Sequence, residues 1–488
     1  MKLFYLFLAV YFAYVVTGIN FNHLDADQGS HAMTGVFVSR MIKDLARHPV
    51  LNPRALMEYA KAYYVHYPKF VFNGPVYSII NGLLFLVFQS KYALKLLVAV
   101  MSAGVVFVTY LLFKKLMNEK TGILAGIITA CSTVFVNYSR MIMPVIPAAF
   151  FFVLGLYFFS AGKKKLAGLF LGISMLTKEF TLVFVGAFLI ASWKKQLRDL
   201  RLLGVLALTI APYIILLVST GGINYLLQYP QKQEWYGLHD RDPQWYEIGG
   251  WLFFFLSIVR NYSVIGLLFL AAGIYHAWKG KGRALVYFVI IAWLGVTLVS
   301  DKAYQGIIYG APVFSGLIAY GFLKLYERKK ILSLFLLVFM IGLAIPLSME
   351  KGGSLEDAAR YIFDTCPNCT VLIASENGSV YSSSLMYEAL VIDKNISLRF
   401  LRPTSLMQRD VADLVKSEDV NRIVVLVQDN SPQIRFIMNR YPLIRIIGPA
   451  FIYDTGIKER KGPPYCFTSV AMNTTVCSNC TNPVSALK

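Results

Sequence analysis

Residues 92–113 read YALKLLVAVMSAGVVFVTYLLF, an apolar run that contains a single charged side chain. A transmembrane α-helix needs about 20 predominantly apolar residues to cross the hydrocarbon core. The rest of the chain is similar, since 57% of its 488 residues are hydrophobic and only 15% are charged. Soluble domains are closer to half apolar and a quarter charged. The sequence therefore predicts a polytopic α-helical membrane protein.

Further apolar runs lie on both sides of this stretch, and together they predict about 10–12 membrane segments. The aromatic segment Gly249–Val259 is too short to cross and is expected to be an interfacial helix. The first run fits an uncleaved span better than a signal peptide. The predicted spans are Leu3–Ile19, Val76–Phe88, Tyr92–Phe113, Gly122–Val136, Ile146–Ala161, Leu166–Trp193, Leu202–Thr220, Val264–Trp278, Ala284–Ser300, Gly306–Leu323 and Ile331–Ser348.

The net charge of +20 is carried by short basic clusters between the apolar runs. This spacing argues against nucleic acid as a partner and for positive loops on the cytoplasmic side. Placing every cluster inside predicts a zigzag in which Leu166–Trp193 enters and returns, bending near Thr177–Glu179. It leaves open whether Val76–Phe88 crosses only in part or one cluster breaks the rule. The clusters are Lys114–Lys120, Lys163–Lys165, Lys194–Arg201, Lys279–Arg283 and Lys324–Lys330.

Residues 349–488 differ from the membrane domain, residues 1–348, because their charges nearly balance. They are expected to form a soluble α/β domain on the outer face of the plasma membrane, with two helices, Ser405–Lys416 and Pro432–Tyr441. The predicted strands are Thr370–Ser375, Ile396–Leu401, Arg422–Gln428 and Leu443–Tyr453. Glycosylation sequons occur at Asn368, Asn377, Asn395, Asn473 and Asn479, and outside this region at Asn137 and Asn261.

Five of the six cysteines lie in this C-terminal region, and two CxxC pairs occur among them. Such pairs are half-sites for zinc. Outside the cytoplasm, disulfides are the commoner outcome and are favoured here. The five residues are Cys366, Cys369, Cys466, Cys477 and Cys480.

The first outer loop, residues 20–75, follows the first span and is called the acidic segment after Asp25 and Asp27 at its start, which His31 follows. Carboxylates and histidines at the mouth of a span are costly to bury, which points to function. The structural alternative is a solvated loop that caps the next helix through Asp27 or Ser30.

Basic and aromatic side chains recur at other membrane boundaries. Each alone is more often an interfacial anchor than a site residue. Several cations near one acid would nevertheless suit a reaction with an anionic leaving group. The residues are Tyr67, Lys69, Arg140, Lys178, Lys302 and Tyr309.

The order of these motifs resembles the GT-C glycosyltransferases, in particular the protein-mannosyltransferase and aminoarabinose-transferase-like branch. The resemblance covers roughly residues 1–348, and the order of the motifs carries more weight than any one of them. The chain departs from the usual pattern at Gln28, Pro144 and Val145, where that branch often has acids. The motifs are Asp25–His31, Tyr67-Pro68, Gly74–Tyr77, Tyr138–Arg140, Gly168–Lys178 and Lys302–Pro312.

The resemblance implies an enzyme that moves a sugar from a polyprenyl-phosphate or dolichyl-phosphate carrier to a hydroxyl acceptor, within membrane lipid and at the outer face. It implies Asp27 as catalytic base, with Asp25 as second choice. No metal ligand is predicted, although a divalent metal is left open as a cofactor. The implied phosphate-binding residues are Lys69, Arg140, Lys178 and Lys302, and the implied substrate-binding residues are His31, Tyr67 and Tyr309.

The main alternative is a membrane transporter or lipid flippase with an outer binding domain. Transporters usually show two related halves and charges in mid-span, whereas this sequence has no repeated halves and its polar residues lie at span boundaries. A receptor is a third interpretation, but it leaves the acidic segment unexplained.

Overall fold

A computed structural model describes most of the helical part of the chain and the strands of the C-terminal region. The residues described are 2–19, 26–47, 74–193, 200–219, 246–280, 282–298, 304–344, 355–366, 370–374, 397–401, 412, 415–416, 420–425, 432–447, 450–455, 466–469 and 474–477.

The N-terminal two thirds of the chain is helical, as predicted. Within the described residues, four helices are long and apolar enough to cross a membrane, and further apolar helices are shorter. The helices are α1 Lys2–Gly18, α2 Ala26–Arg47, α3 Pro75–Phe88, α4 Lys91–Leu116, α5 Glu119–Ala130, α6 Thr133–Tyr138, α7 Val145–Ser160, α8 Lys164–Thr177, α9 Thr181–Ala191, α10 Arg201–Ser219, α11 Ile248–Lys279, α12 Arg283–Leu298, a 3₁₀ helix Tyr304–Gly310, α13 Ala311–Tyr326 and α14 Lys330–Ala344.

Two of the predicted breaks between helices are visible in the backbone. The run Leu166–Trp193 ends its first helix at Lys178, which is extended (φ −153°, ψ 122°), and a new helix starts at Thr181. Ser263 has a non-helical backbone (φ 62°, ψ 175°) and divides α11 near the predicted boundary between the interfacial segment and the next span. Sequence patterns therefore located both breaks.

Contacts between side chains give the direction of each helix. The Phe4 and Tyr110 rings lie 4.5 Å apart, and the Tyr11 hydroxyl lies 3.3 Å from Ser102 Oγ, so α1 and α4 are antiparallel. Ser174 Oγ donates a hydrogen bond of 2.8 Å to the Ala148 carbonyl, which places the end of α8 beside the start of α7.

Contacts near the ends of the helices also place the basic clusters together. Gly282, between α11 and α12, packs against Met117, which follows α4. His276 near the end of α11 lies close enough to feel the charges of Lys324, in the last turn of α13, and of Arg328, just after that helix. We call this the basic end of the helical unit. It includes Lys2, Lys114, Lys163–Lys165, Lys279, Arg283 and Lys324–Lys330. The other end, where α1, α8 and α14 finish, is called the opposite end.

The direction of α4 answers the question about the run Val76–Phe88. Gly74 precedes α3 and packs on Leu176 at the opposite end, and α4 begins at that end only two residues after α3 finishes. A single helix of 14 residues that starts and finishes at one end does not complete a crossing. The partial-crossing alternative is therefore the one that the structure supports.

The chain divides into two compact units, each defined by its internal packing. The first contains residues 1–20, 72–77 and 95–349, and the second contains residues 21–71, 78–94 and 350–488. Within the second unit, Gly35 and Val38 of α2 pack on Asn81 and Gly82 of α3.

The described residues of the C-terminal region form a mixed sheet of seven strands in the order β4-β5-β3-β1-β2-β6-β7. Strands β1, β2, β3 and β6 are parallel, whereas β4–β5 and β6–β7 are antiparallel pairs. Helices α15 and α16 accompany the sheet, and Val420, Ile423 and Ile437 belong to its core. The elements are α15 Leu355–Thr365, β1 Thr370–Ala374, β2 Ser397–Leu401, β3 Val420–Val425, α16 Pro432–Arg440, β4 Leu443–Ile447, β5 Ala450–Asp454, β6 Cys466–Ser469 and β7 Thr474–Cys477.

The sheet corrects the predicted single strand Leu443–Tyr453. It is a hairpin of β4 and β5, because Gly448-Pro449 in the middle of the run favours a turn and proline cannot donate to a ladder. The polar β6–β7 hairpin was not predicted, since it lacks the apolar alternation of a half-buried strand. The predicted helix Ser405–Lys416 lies mostly outside the described residues.

Candidate active site

Arg140 is the most unusual side chain at the opposite end of the helical unit. Its residue is 7% exposed. Nη2 donates to the Tyr14 carbonyl at 3.2 Å, and the guanidinium lies 4.4 Å from the centre of the Tyr14 ring. Nε has no hydrogen-bond partner, and no ion pair of Arg140 occurs among the described residues. A buried cation without an acid is costly unless an anion reaches it.

The last turn of α1 is shaped to accept this guanidinium. Gly18 lies directly against Arg140, and a Cβ at that position would overlap the guanidinium. Tyr11, two turns earlier, lies 3.2 Å from Ser139 Oγ and 3.3 Å from Ser102 Oγ, joining α1 to α4 and to the turn after α6. Ser139 of the Tyr138–Arg140 motif thus orients the turn, while Arg140 presents the charge.

Lys178 lies at the break between α8 and α9. Its Nζ contacts Glu179 Oε1 at 2.6 Å, and the lysine side chain is 20% exposed against 54% for the glutamate. Its carbonyl accepts a hydrogen bond of 2.8 Å from Thr181 Oγ1, which starts the next helix. The bond between Ser174 and Ala148 places this break at the same end as Arg140. Lys178 already has an acid beside it, so its charge is partly compensated.

Gly74 joins two motifs that are about 100 residues apart in the sequence. Its backbone is left-handed (φ 76°), and a Cβ there would overlap the Leu176 carbonyl. Glycine is therefore required twice, by conformation and by space. The contact brings the Gly74–Tyr77 motif onto the Leu176–Lys178 motif.

Tyr309 reaches the same region from the 3₁₀ helix. Its residue is 1% exposed, and its ring centre lies 5.9 Å from that of Phe180 and 5.9 Å from that of Phe184. Gly306 also packs on Phe180. These contacts are those of a packing residue that holds the 3₁₀ helix against the start of α9. Its binding to substrate stays a prediction.

Lys95 is a buried cation that sequence reasoning passed over. It is 1% exposed, on α4. It lies two helical turns before Ser102 on the same face, in the direction of the opposite end. Because Ser102 and Ser139 both contact Tyr11, this face of α4 is turned towards α1 and the Arg140 turn. The signal was available, since an ionisable residue inside a span is a functional hypothesis by default.

The remaining predicted site residues are less fully described. Asp27 lies in the first turn of α2, but its side chain is outside the described atoms. His31 is buried in the same helix, on the face that also carries Gly35. Asp25, Tyr67, Lys69 and Lys302 lie outside the described residues, so their roles stay predictions.

The use of a divalent metal, which the sequence analysis left open, is not decided by the described residues. Within the described part of the chain, no group of three histidine, cysteine, aspartate or glutamate side chains is placed to hold an ion. The acidic segment that would supply carboxylates is mostly outside that part.

The sequon at Asn261 has a structural role instead. Its side chain is buried in α11, accepts a hydrogen bond of 2.8 Å from Ser132 Oγ and donates one of 2.9 Å to the Ser257 carbonyl. A glycan could not be attached to a side chain enclosed in this way.

Comparison with known proteins supports the resemblance inferred from the motifs. Residues 73–219 match the family model of the dolichyl-phosphate-mannose-protein mannosyltransferases, PMT_2. Curated protein sequences gave no match. ArnT from Cupriavidus metallidurans bound to undecaprenyl phosphate is similar in structure, with a TM-score of 0.58 and 11% identity over 94% of this chain and 98% of that chain. Its apo form gives a TM-score of 0.60 and 12% identity over 92% and 97%. The chain has a GT-C fold.

A second GT-C structure is also similar. The oligosaccharyltransferase of Archaeoglobus fulgidus tethered with an acceptor peptide containing the NVT sequon has a TM-score of 0.51 and 11% identity, over 86% of this chain and 69% of that chain. The matched region 73–219 contains Gly74, Lys95, Arg140 and Lys178. It excludes Asp27 and Tyr309. The GT-C resemblance is thus confirmed, whereas the role of each residue is not tested by these likenesses.

Proposed function

We propose that this protein is a glycosyltransferase that moves a sugar from a polyprenyl-phosphate carrier to a hydroxyl acceptor. The observation that carries the proposal is Arg140, a buried guanidinium with no acid beside it among the described residues. It lies at the opposite end of a GT-C bundle, inside the region that matches the mannosyltransferase family model. A lipid phosphate would supply the missing anion.

The phosphate would be held by fixed cations at one end of the bundle. As the glycosidic bond to the phosphate breaks, negative charge grows on the leaving group, and preorganised donors stabilise it. Arg140 can offer two parallel N–H groups to phosphate oxygens. Lys95 and Lys178 would add charge from α4 and from the break after α8, and Lys69 and Lys302 are further candidates from the sequence.

The acceptor would be activated by a carboxylate of the acidic segment. A hydroxyl is a weak nucleophile, so a base must take its proton as the anomeric carbon is attacked. We assign this role to Asp27, with Asp25 as second choice. Asp27 follows Gly18, the glycine against Arg140, by only nine residues. A single displacement of this kind inverts the anomeric centre.

The carrier would stay in the membrane throughout the reaction. ArnT, which shares the fold, has been crystallised with undecaprenyl phosphate, and this supports a lipid donor here. The chain is a multi-pass membrane protein, and the basic end is expected on the cytoplasmic side of the plasma membrane. The transfer site and the C-terminal domain would then face outwards, where the domain could position an acceptor protein, lipid or glycan.

Mass spectrometry of cells that lack the protein tests this function. Polyprenyl-phosphate sugars and cell-surface glycans are extracted from the deletion strain, the parent, and the deletion strain carrying the gene. The proposal predicts that one lipid-linked sugar accumulates in the deletion strain while one glycan residue disappears. A flippase would be supported instead if purified protein in proteoliposomes moved labelled lipid without consuming the sugar–phosphate bond.

A further inference from the structure

Strands β6 and β7 place two cysteines at paired positions of one ladder. Strand β6 pairs with β2 on one side and with β7 on the other, and β7 forms the edge of the sheet. In the antiparallel β6–β7 ladder, Cys466 is directly opposite Cys477. Opposite residues in such a ladder have Cα atoms about 4.5–5.5 Å apart and point to the same face. Disulfides span Cα separations of about 4.4–6.8 Å.

We propose that Cys466 and Cys477 form a disulfide that closes the β6–β7 hairpin. The register, rather than the number of cysteines, selects this pair from the five in the region. The bond would tie β7, the last strand among the described residues, to a strand that is itself paired with the parallel part of the sheet.

The direction of α14 supports an oxidising compartment for the hairpin. Helix α14 starts at Lys330 in the basic end and therefore finishes at the opposite end. Since basic loops face the cytoplasm, the chain after α14 emerges on the non-cytoplasmic side. Disulfides persist there, whereas cytoplasmic thiols are kept reduced.

The disulfide excludes the zinc alternative for the second CxxC pair. A zinc half-site would use Cys477 and Cys480 together as thiolates. Cys477 cannot be a thiolate ligand and a disulfide partner at once. Cys480 would then be left, with Cys369 and the buried Cys366, outside the hairpin bond.

Formation of the bond requires an external oxidant, which we take to be a thiol oxidase that carries its own disulfide. The Cys466 thiolate attacks that disulfide to give a mixed disulfide, and the Cys477 thiolate then displaces the oxidase thiolate. The hairpin loses two protons and two electrons, and the oxidase disulfide is reduced to two thiols.

Fragment mapping of the full chain tests the pairing, because Met472 lies between the two cysteines. Membranes are solubilised with N-ethylmaleimide to block free thiols, and the purified protein is cleaved at methionine with cyanogen bromide. Residues 439–472 then carry only Cys466, whereas residues 473–488 carry Cys477 and Cys480. The two fragments are analysed by mass spectrometry before and after reduction.

The proposal predicts fragments that stay joined until they are reduced, both in the native chain and in Cys480→Ser, and that separate without reduction in Cys477→Ser. Two results would overturn it. One is separation of the native fragments before reduction, with maleimide on both cysteines, as expected for free or zinc-released thiols. The other is a linkage that survives in Cys477→Ser, which would make Cys480 the partner. Neither result bears on glycosyl transfer.

Discussion

Buried cations at the opposite end differ in how their charge is compensated. Lys178 has Glu179 beside it at 2.6 Å, whereas Arg140 has a carbonyl, an aromatic face and an unpaired Nε. A structural arginine in a membrane protein is normally neutralised by an acid or exposed at the interface. Among the described residues no acid lies beside Arg140, which fits the phosphate-binding role proposed for it.

Replacing Arg140 should reduce transfer much more than it reduces stability. Arg140→Met is expected to lower the rate by about 100-fold or more, the usual cost of losing one preorganised donor. Arg140→Lys should recover only part of the rate, because lysine cannot form a bidentate pair or stack on Tyr14 in the same way. The measurement is sugar transfer by purified protein, with thermal unfolding in detergent as a check on folding.

The matched control is Lys165→Met, which removes an exposed cation at the basic end. It should leave transfer within about twofold of the wild-type rate, since surface substitutions rarely matter. Equal losses in Arg140→Met and Lys165→Met would show that only the overall charge is important, and the phosphate role of Arg140 would be lost.

Lys95 should act with Arg140 on the lipid donor. Lys95→Met is expected to raise the apparent KM for the polyprenyl-phosphate sugar by about tenfold, since loss of one charged contact costs about 1.5–3 kcal/mol. Lys95→Arg, which keeps the charge, should stay closer to wild type. If both variants unfolded at the same lower temperature and kept the wild-type KM, Lys95 would be a structural residue only.

At the scale of elements, the sequence predicted the helices better than their contacts. Apolar runs predicted the helices, the break at Lys178 and the strands β1 and β2, because these features depend on local composition. The packing of Gly74 on Leu176 could not be predicted from local composition, since it joins residues about 100 positions apart. The β6–β7 hairpin was also missed, because its strands are short and polar.

Gly74→Ala should separate the effect of this contact from that of backbone strain. Gly162 also has a left-handed backbone (φ 77°), but no atom would meet a Cβ there. Gly162→Ala is expected to cost about 1–2 kcal/mol through conformation alone. Gly74→Ala should cost about 1–3 kcal/mol more, because the Leu176 carbonyl must move. Thermal unfolding of both variants measures the difference, and equal melting temperatures would contradict it.

On the scale of the whole molecule, all the described basic clusters lie at one end and Arg140, Lys178 and Tyr309 lie at the other. The charge pattern alone predicted this arrangement from Lys114 onwards, because the positive-inside rule alternates with the spans. What the sequence left open was the short run before Lys114. Gly74, before α3, packs on Leu176 at the opposite end, and α4 begins at the same end, which favours a partial crossing. The role of the acidic segment is inferred from its residue types.

Labelling of single cysteines in intact cells tests the assignment of the two ends. In a background without native cysteines, Tyr246→Cys at the start of α11 should react with a membrane-impermeant maleimide. Lys165→Cys should react only after the membrane is permeabilised, since the basic end faces the cytoplasm. The reverse pattern would place the transfer site inside the cell.

Sugar transfer by Asp27→Asn tests the central claim most directly. Purified wild-type protein and the variant are placed in proteoliposomes with the polyprenyl-phosphate sugar that accumulates in the deletion strain and with the unmodified acceptor fraction from the same strain. Release of polyprenyl phosphate and transfer of the sugar to the acceptor are measured. The account predicts release by the wild-type protein and a loss of at least about 100-fold in the variant, the usual range for a general base. It also predicts an unchanged melting temperature. Full release by Asp27→Asn would contradict the account, because the proton of the acceptor would then have to be taken by a different group.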